Sequence, residues 1–380
     1  MKTLFKKLLF VLIVAIPASS CIKDKAPKPV KVFNAAKFKE ELKKNIAKTR
    51  PTHPRGYSFV VNQNGRWIDT CSTGIAYMLP GGGTSPMHPD QEVNVASVTK
   101  IFTTVAVLQL MKKNNIKLDD PIGQWLPVYF GTVQAVKDIT FKQLLTHRSG
   151  ISEGTGWIDS LKVIAKRGLD NPAKPKDYAN MNFAIFRIMI PYMMNKTATL
   201  QIEASLVPSQ TKLFEEWLSI QYINYMQNNV FSPIGIGSAL CSPGVNTAMA
   251  FNEGPKITSR VMEDWTQESG GGGYYLSTME MARVMAYISH TDILLNKEQR
   301  DMMDDNFLGW DTEDSWMTIN GQSYGKDGAL QWGGPGMQTL VVKYPGNIEL
   351  SLSVTSWPGD DFRNFTKAAA DAYNDSWEWE

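Results

Sequence analysis

The sequence predicts an α+β fold of two lobes, an antiparallel sheet flanked by helices joined to a mostly helical lobe. Three observations carry this expectation. Near the start, Gly56 to Asn62 and Arg66 to Ala76 read as two strands around Asn64-Gly65, a strong hairpin signal. Near the end, Gln338 to Lys343 and Ile348 to Val354 read as two more, joined by a turn at Pro345-Gly346-Asn347. Between these sheet parts, from about 98 to 290, the pattern is mainly helical. A chain of 380 residues exceeds a usual single core, so one large domain with two lobes is expected.

Residues 1–20 are expected to be a signal peptide, outside the fold. Lys2, Lys6 and Lys7 form a basic start, and Leu8 to Ile16 an apolar core too short to span a bilayer. Ala18-Ser19-Ser20-Cys21 resembles a bacterial lipobox, in which the cysteine becomes the acylated N-terminus. An ordinary cleaved signal with an incidental cysteine is the alternative. Lipidation at Cys21 would place the protein across the inner membrane, anchored in the bacterial cell envelope. Residues 21–35, rich in Lys and Pro, then serve as a tether. The folded domain is expected over 36–380, opening with a helix from about Ala36 to Lys48.

Composition excludes several classes. A net charge of +2, with basic and acidic residues well mixed, does not suggest a nucleic-acid partner. Four scattered histidines and no Cys/His cluster argue against a metal site, and no cofactor is expected. With Cys21 lipidated, Cys71 and Cys241 remain and are read as buried free thiols, a bridge between them being the alternative.

Gly81-Gly82-Gly83 and the following prolines form a loop leading to Asn94-Val95-Ala96-Ser97-Val98-Thr99-Lys100, around which the chain is organised. The run Ile101 to Met111 is too apolar for a surface helix and reads as a core helix. Ser97 falls in its first turn, near the positive end of the macrodipole, and Lys100 on the same side. A hydroxyl and an amine so held can form an activated nucleophile. The tetrad alone is unspecific, since Ser20/Lys23 and Ser209/Lys212 repeat its spacing.

The context of Ser97 makes it specific. Its Ser-x-x-Lys is that of penicillin-recognising enzymes. Further segments resemble the serine β-lactamase/penicillin-binding family, in particular class C β-lactamases, D-Ala-D-Ala carboxypeptidases and related esterases. They are Lys117-Leu118-Asp119-Asp120-Pro121, Thr140 to Gly150 with His147, Asn229 to Ile236, and Gly271-Gly272-Gly273 leading to Ser277-Thr278-Met279-Glu280. They run in family order. The resemblance implies a β-lactamase-like fold, and it makes His147 part of a structural turn rather than a base.

Tyr178-Ala179-Asn180 resembles the family's Tyr-x-Asn element, with Ala173 and Ala179 departing from the usual Gly and Ser. The resemblance implies that Tyr178 exchanges a proton with Ser97 and that the amide of Asn180 faces the substrate. Beside a lysine ammonium the phenolate is favoured, and whether Tyr178 or Lys100 is the base is a coupled titration. Tyr222/Asn224 repeats the spacing inside an amphipathic helix and reads as packing.

The family's third motif places Lys-Thr-Gly or His-x-Gly on an edge strand, the next residue donating N–H to the oxyanion. Lys326 to Gly336 offers three registers. Counting back from Tyr344-Pro345 favours the Trp332 region, where a start at Trp332 makes Pro335 the donor, which has no N–H. A start at Gln331 makes Gly334 the donor, and this register is favoured. Lys326-Asp327-Gly328 makes Ala329 the donor and keeps a cation, but requires about four inserted residues.

The implied function is a serine hydrolase acting through an acyl-enzyme on an ester, amide or β-lactam carbonyl of a small or peptidoglycan-derived substrate. Ser97 is the nucleophile, Lys100 and Tyr178 handle protons, and Asn180, Trp332 and Gly334 bind. An aromatic at 332 without a nearby cation favours an esterase or amidase over a potent β-lactamase. The degraded third motif motivates an alternative, a non-catalytic lipoprotein binding cell-wall material in the same cleft. Asn195 to Thr211 reads as an irregular polar segment overhanging that cleft.

Overall fold

The computed structural model describes residues 30–48, 54–152, 154, 156–311, 316–357 and 364–380. The expected signal peptide, Cys21 and most of the tether lie outside them.

The first helix, α1 (Ala35–Lys48), is amphipathic, with Phe38, Leu42 and Ile46 buried at spacing four. Strands β1 (Gly56–Gln63) and β2 (Arg66–Met78) form the predicted hairpin, Asn64 and Gly65 both taking positive φ. Three late strands follow, β3 (Tyr324–Gln331), β4 (Gly336–Tyr344) and β5 (Ile348–Val354). The long strands pair antiparallel in the order β3-β4-β5-β1-β2, with short strands at the margins. The first long strand therefore lies beside the last, Tyr57 opposite Val354 and Gln63 opposite Ile348.

One sheet face is covered by α1 and the C-terminal helix Asn364–Asp375, which bury Phe59, Leu350 and Leu352 with Phe38, Phe365 and Tyr373. The other face meets the helix Thr278–His290, whose start carries a capping box made by Ser277 and Glu280. Small hydroxyls line that approach: Ser58 Oγ lies 2.5 Å and Ser353 Oγ 2.6 Å from Thr278 Oγ1. They let helix and sheet come close while satisfying one another in a dry interface.

The helical lobe is centred on α2 (Thr99–Lys113), which buries nearly its whole circumference. Residues Ala96–Val98 precede it as a 3₁₀ turn, so Ser97 stands just ahead of the α-helix rather than within its first turn. The segment 195–211 departs from expectation. It is not an irregular overhang but part of a long helix, Lys196–Met226, with one non-helical residue at Gln210. Asn195 caps its start, its side chain accepting from Ala198 N, and Glu203 is buried against Tyr129 N and Tyr192 Oη. Polar composition misleads here because most of those polar side chains lie on the helix's exposed side, while Thr199 and Glu203 are buried and paired. Tyr222 is packing, as expected, with its Oη 2.9 Å from Thr103 Oγ1. Cys71 and Cys241 are free thiols, Cys241 buried but Cys71 only half-buried, on a strand whose outer side is partly open.

Candidate active site

Ser97 is held in a turn that the backbone does not adopt readily. Ala96 before it has φ 47°, a left-handed conformation uncommon for a residue with a Cβ. Three contacts over-determine the turn. Ala96 N donates to Asn94 Oδ1 at 2.9 Å, Val95 N to Tyr274 O at 2.8 Å, and Thr339 Oγ1 to Val95 O at 2.7 Å. Such strain persists only where the surroundings fix it, and it clusters at functional sites.

The three proton-handling residues predicted from the sequence converge here. Lys100 Nζ donates to Ser97 Oγ at 3.0 Å, and Tyr178 Oη to the same oxygen at 2.7 Å. Lys100 is fully buried and also donates to Asn180 Oδ1 at 2.8 Å and to Gly271 O. Asn180 immediately precedes the buried helix Met181–Met194, which anchors the Tyr178 segment to the lobe. Gly271 belongs to the glycine run before Ser277, and a Cβ on it would meet Asn180 O at 2.9 Å.

Charge in this cluster is strongly coupled. Burial pushes the Lys100 ammonium pKa down, the neighbouring Tyr178 charge opposes that, and Lys326 reinforces it. Burial would push the Tyr178 phenol up, but the Lys100 and Lys326 ammoniums and hydrogen bonds outweigh it, and its pKa falls. The Tyr178 ring is 46% exposed along its outer side, while its oxygen points inward to Ser97. A phenol and an amine both lowered in pKa, and both on Ser97 Oγ, are placed to pass a proton to and from it. His147 stacks on Tyr178 with ring centroids 4.4 Å apart, and burial holds its pKa well below the usual histidine range. It sits in a left-handed turn (φ 55°) with Ala179 N donating to its Nδ1, so it supports the phenol as a neutral platform.

The third motif lies elsewhere than the favoured register. Trp332 and Gly334 fall in the hairpin connection between β3 and β4, closed by Trp332 N donating to Pro335 O. A Cβ on Gly334 would meet nothing within 4 Å, so it cannot face the Ser97 oxyanion. The glycine against the nucleophile is Gly328, whose added Cβ would meet Val95 O at 2.6 Å and Ser97 N at 2.9 Å. The register is therefore Lys326-Asp327-Gly328, and Ala329 lines the pocket beside Ser97. Counting from Tyr344 misleads because the hairpin overshoots the site: Ala329, Leu330 and Gln331 still pair with Gln338, Met337 and Gly336. The overshoot is the apparent insertion. Trp332 is a rim residue, with its ring 6.4 Å from that of Trp265.

Asp311 goes unnoticed in the sequence, and Lys326 belongs to the register not favoured there. Lys326, 2% exposed, places its ammonium 4.8 Å from the Tyr178 ring centre and 2.6 Å from Asp311 Oδ1. Asp311 comes from the segment before β3 and also accepts Asp327 N at 3.2 Å. Asp311 and Lys326 sustain one another's charge, each against its own burial. The Asp327 carboxyl is pushed up to about 7 by burial and by its hydrogen bond to Asp311, with Lys326 opposing. A cation thus occupies the third motif, and the motivation for a purely binding role, a neutral residue there, disappears.

The pocket beside Ser97, about 60 Å³, is lined by Asn180, Trp265, Glu268, Ala329 and Leu330 among others. Among the described residues no group of three or more His, Cys, Asp or Glu is arranged to hold a metal ion.

Comparison with known proteins follows the same lines. The Beta-lactamase family model matches residues 42–372. The chain is 29% identical over 208 residues to PbpX of Bacillus subtilis (strain 168), named as a penicillin-binding protein, covering 51% of this chain and 45% of that one. It is 36% identical over 105 residues to the esterase EstB of Burkholderia gladioli, 26% of each chain. The chain thus spans less than half the length of these curated relatives. In structure it is similar to the D-amino acid amidase from Ochrobactrum anthropi SV3 complexed with D-phenylalanine. That TM-score is 0.65 at 15% identity, over 90% of this chain and 99% of that one.

Proposed function

Because this chain belongs to the Beta-lactamase family, we propose that it is a serine hydrolase that cleaves an ester or amide through an acyl-enzyme. The observation that carries the reading is the double hydrogen bond to one oxygen, Lys100 Nζ and Tyr178 Oη both on Ser97 Oγ at 3.0 and 2.7 Å. With one member of the Tyr178–Lys100 pair deprotonated, Ser97 Oγ attacks the substrate carbonyl carbon as its proton passes to that member. The oxyanion forms against the backbone N–H groups of Ser97 and Ala329, where fixed donors act in a site poor in water. The pair returns the proton to the leaving alcohol or amine, whose bond to the carbonyl breaks. Water then adds to the acyl-enzyme, loses a proton to the same pair, and Ser97 leaves with it.

The leaving-group preference follows from Lys326. Its ammonium is committed to Asp311, so a free carboxylate on the leaving group meets no unpaired lysine in the third motif. This supports an esterase or amidase over a carboxypeptidase or potent β-lactamase. The sequence of the leader supports export and lipid anchoring at Cys21, and labelling of the wild type but not Cys21→Ala with a clickable palmitate analogue tests that.

A fluorophosphonate probe tests the chemistry. The protein should be labelled and should hydrolyse p-nitrophenyl acetate, and Ser97→Ala should do neither. Labelling that survives in Ser97→Ala rules out the nucleophile.

A further inference from the structure

Among the described residues, Glu268 is the one carboxylate on the pocket wall beside Ser97, and the acyl-transfer chemistry gives it no task. It is anchored rather than loose. Gly156 N donates to Glu268 Oε2 at 2.7 Å, and the carbonyl of the same residue accepts from Arg187 Nη2 at 3.0 Å. Arg187, fully buried, also donates to the carbonyls of Thr266 and Gln267, the two residues before Glu268. The guanidinium therefore fixes both the loop that presents Glu268 and the peptide that holds its carboxylate. It does so through carbonyls, and among the described residues Glu268 has no ion pair. Gly156 lets the carboxylate come close: a Cβ there would meet Glu268 Oε2 at 2.3 Å and displace it.

The surroundings suit a cation from the substrate. Trp265 shares the pocket wall with Glu268, and an indole is a side chain that attracts an ammonium. Lys100 Nζ is held by Ser97, Asn180 and Gly271 O, and burial lowers its pKa, which favours its neutral form. A carboxylate with two oxygens can accept further hydrogen bonds beyond those from Gly156 and the Trp157 side chain.

We propose that Glu268 is an ammonium-binding subsite, and that the acyl group delivered to Ser97 carries a free primary amine. The substrate class is then an aminoacyl ester or amide whose leaving group lacks a carboxylate. This rests on the hydrolase reading for its turnover, but not for its binding. The water that cleaves the acyl-enzyme releases a free amino acid, and Glu268 takes part in no bond change.

The test compares alanine p-nitroanilide, in both enantiomers, with the N-acetylated compounds. The wild type should prefer the free amine at least about tenfold in kcat/KM, in line with a charge-assisted hydrogen bond. Glu268→Gln should reduce that preference about tenfold, and Glu268→Asp should restore part of it. Reading the ratio within each variant cancels a general loss of activity. A wild-type ratio near one, or a ratio unchanged in Glu268→Gln, overturns the subsite. Calorimetry on Ser97→Ala separates the two readings: alaninamide should bind at least about tenfold tighter than N-acetyl-alaninamide. Equal binding overturns the subsite, whereas selective binding by Ser97→Ala together with a wild type that never takes the fluorophosphonate upholds it and sinks only the hydrolase.

Discussion

The Lys326 ammonium lies 2.6 Å from Asp311 Oδ1, with both groups withdrawn from solvent behind the Tyr178 ring. Removing one partner from such a pair leaves an uncompensated charge, which costs about 3–5 kcal/mol. Asp311→Asn should therefore lower the urea midpoint strongly, while Asp311→Asn combined with Lys326→Met should recover much of the loss. A midpoint unchanged in the single variant would show that the pair contributes nothing.

Gly328 and Gly334 offer a direct contrast. A methyl on Gly328 collides with Val95 O and Ser97 N, and one on Gly334 meets open space. Gly328→Ala should cost at least about 10²-fold in p-nitrophenyl acetate hydrolysis, the scale of losing an oxyanion donor. Gly334→Ala should stay within about twofold of wild type. The reverse ranking would restore the register that the sequence alone favours.

Tyr178→Phe removes the hydroxyl 2.7 Å from Ser97 Oγ and keeps the ring on His147. Positioned proton transfer contributes about 10²–10⁴, so kcat should fall by about that factor with little change in thermal midpoint. A loss below tenfold would leave proton handling to Lys100 alone.

Asp327 makes stability depend on pH near neutrality. Its folded pKa, about 7, stands above the unfolded value of about 3.9. The protonated form is thus favoured in the fold. The stabilisation is fully present below about 3.9 and is lost as pH rises through about 7. His147 works in the opposite sense, because its folded pKa is lowered and the unfolded state takes up protons below about 6.5. The difference between wild type and Asp327→Asn cancels that contribution. Denaturation series from pH 5 to 8 should show wild type losing stability relative to the variant as pH rises. A flat difference would mean that Asp327 is already ionised at pH 5.

Local patterns were legible, and distant convergence was not. Ser97 and Lys100 are three residues apart at the start of an apolar helix, so their meeting is a matter of helical geometry. Tyr178 and Asn180 were found only through resemblance, since nothing within residues 170–180 points to Ser97, about eighty positions away. The third motif was misplaced because register depends on how far β3 and β4 run past the site, and both ends of that hairpin are rich in glycine. Asp311 and Glu268 carry no local signal at all. Each is an isolated acid whose meaning comes from a lysine or a peptide contributed by another element.

The bond from Thr339 Oγ1 to Val95 O spans 244 positions of chain. Nothing made earlier in synthesis replaces it, because Thr339 sits in the middle of a strand that needs its neighbours on both sides. A nascent polypeptide cut off before β5 therefore has its serine but not the shape that makes the serine reactive. Were the chain exported unfolded, as proposed, that delay would keep the proposed acyl-transfer centre silent until delivery is nearly complete.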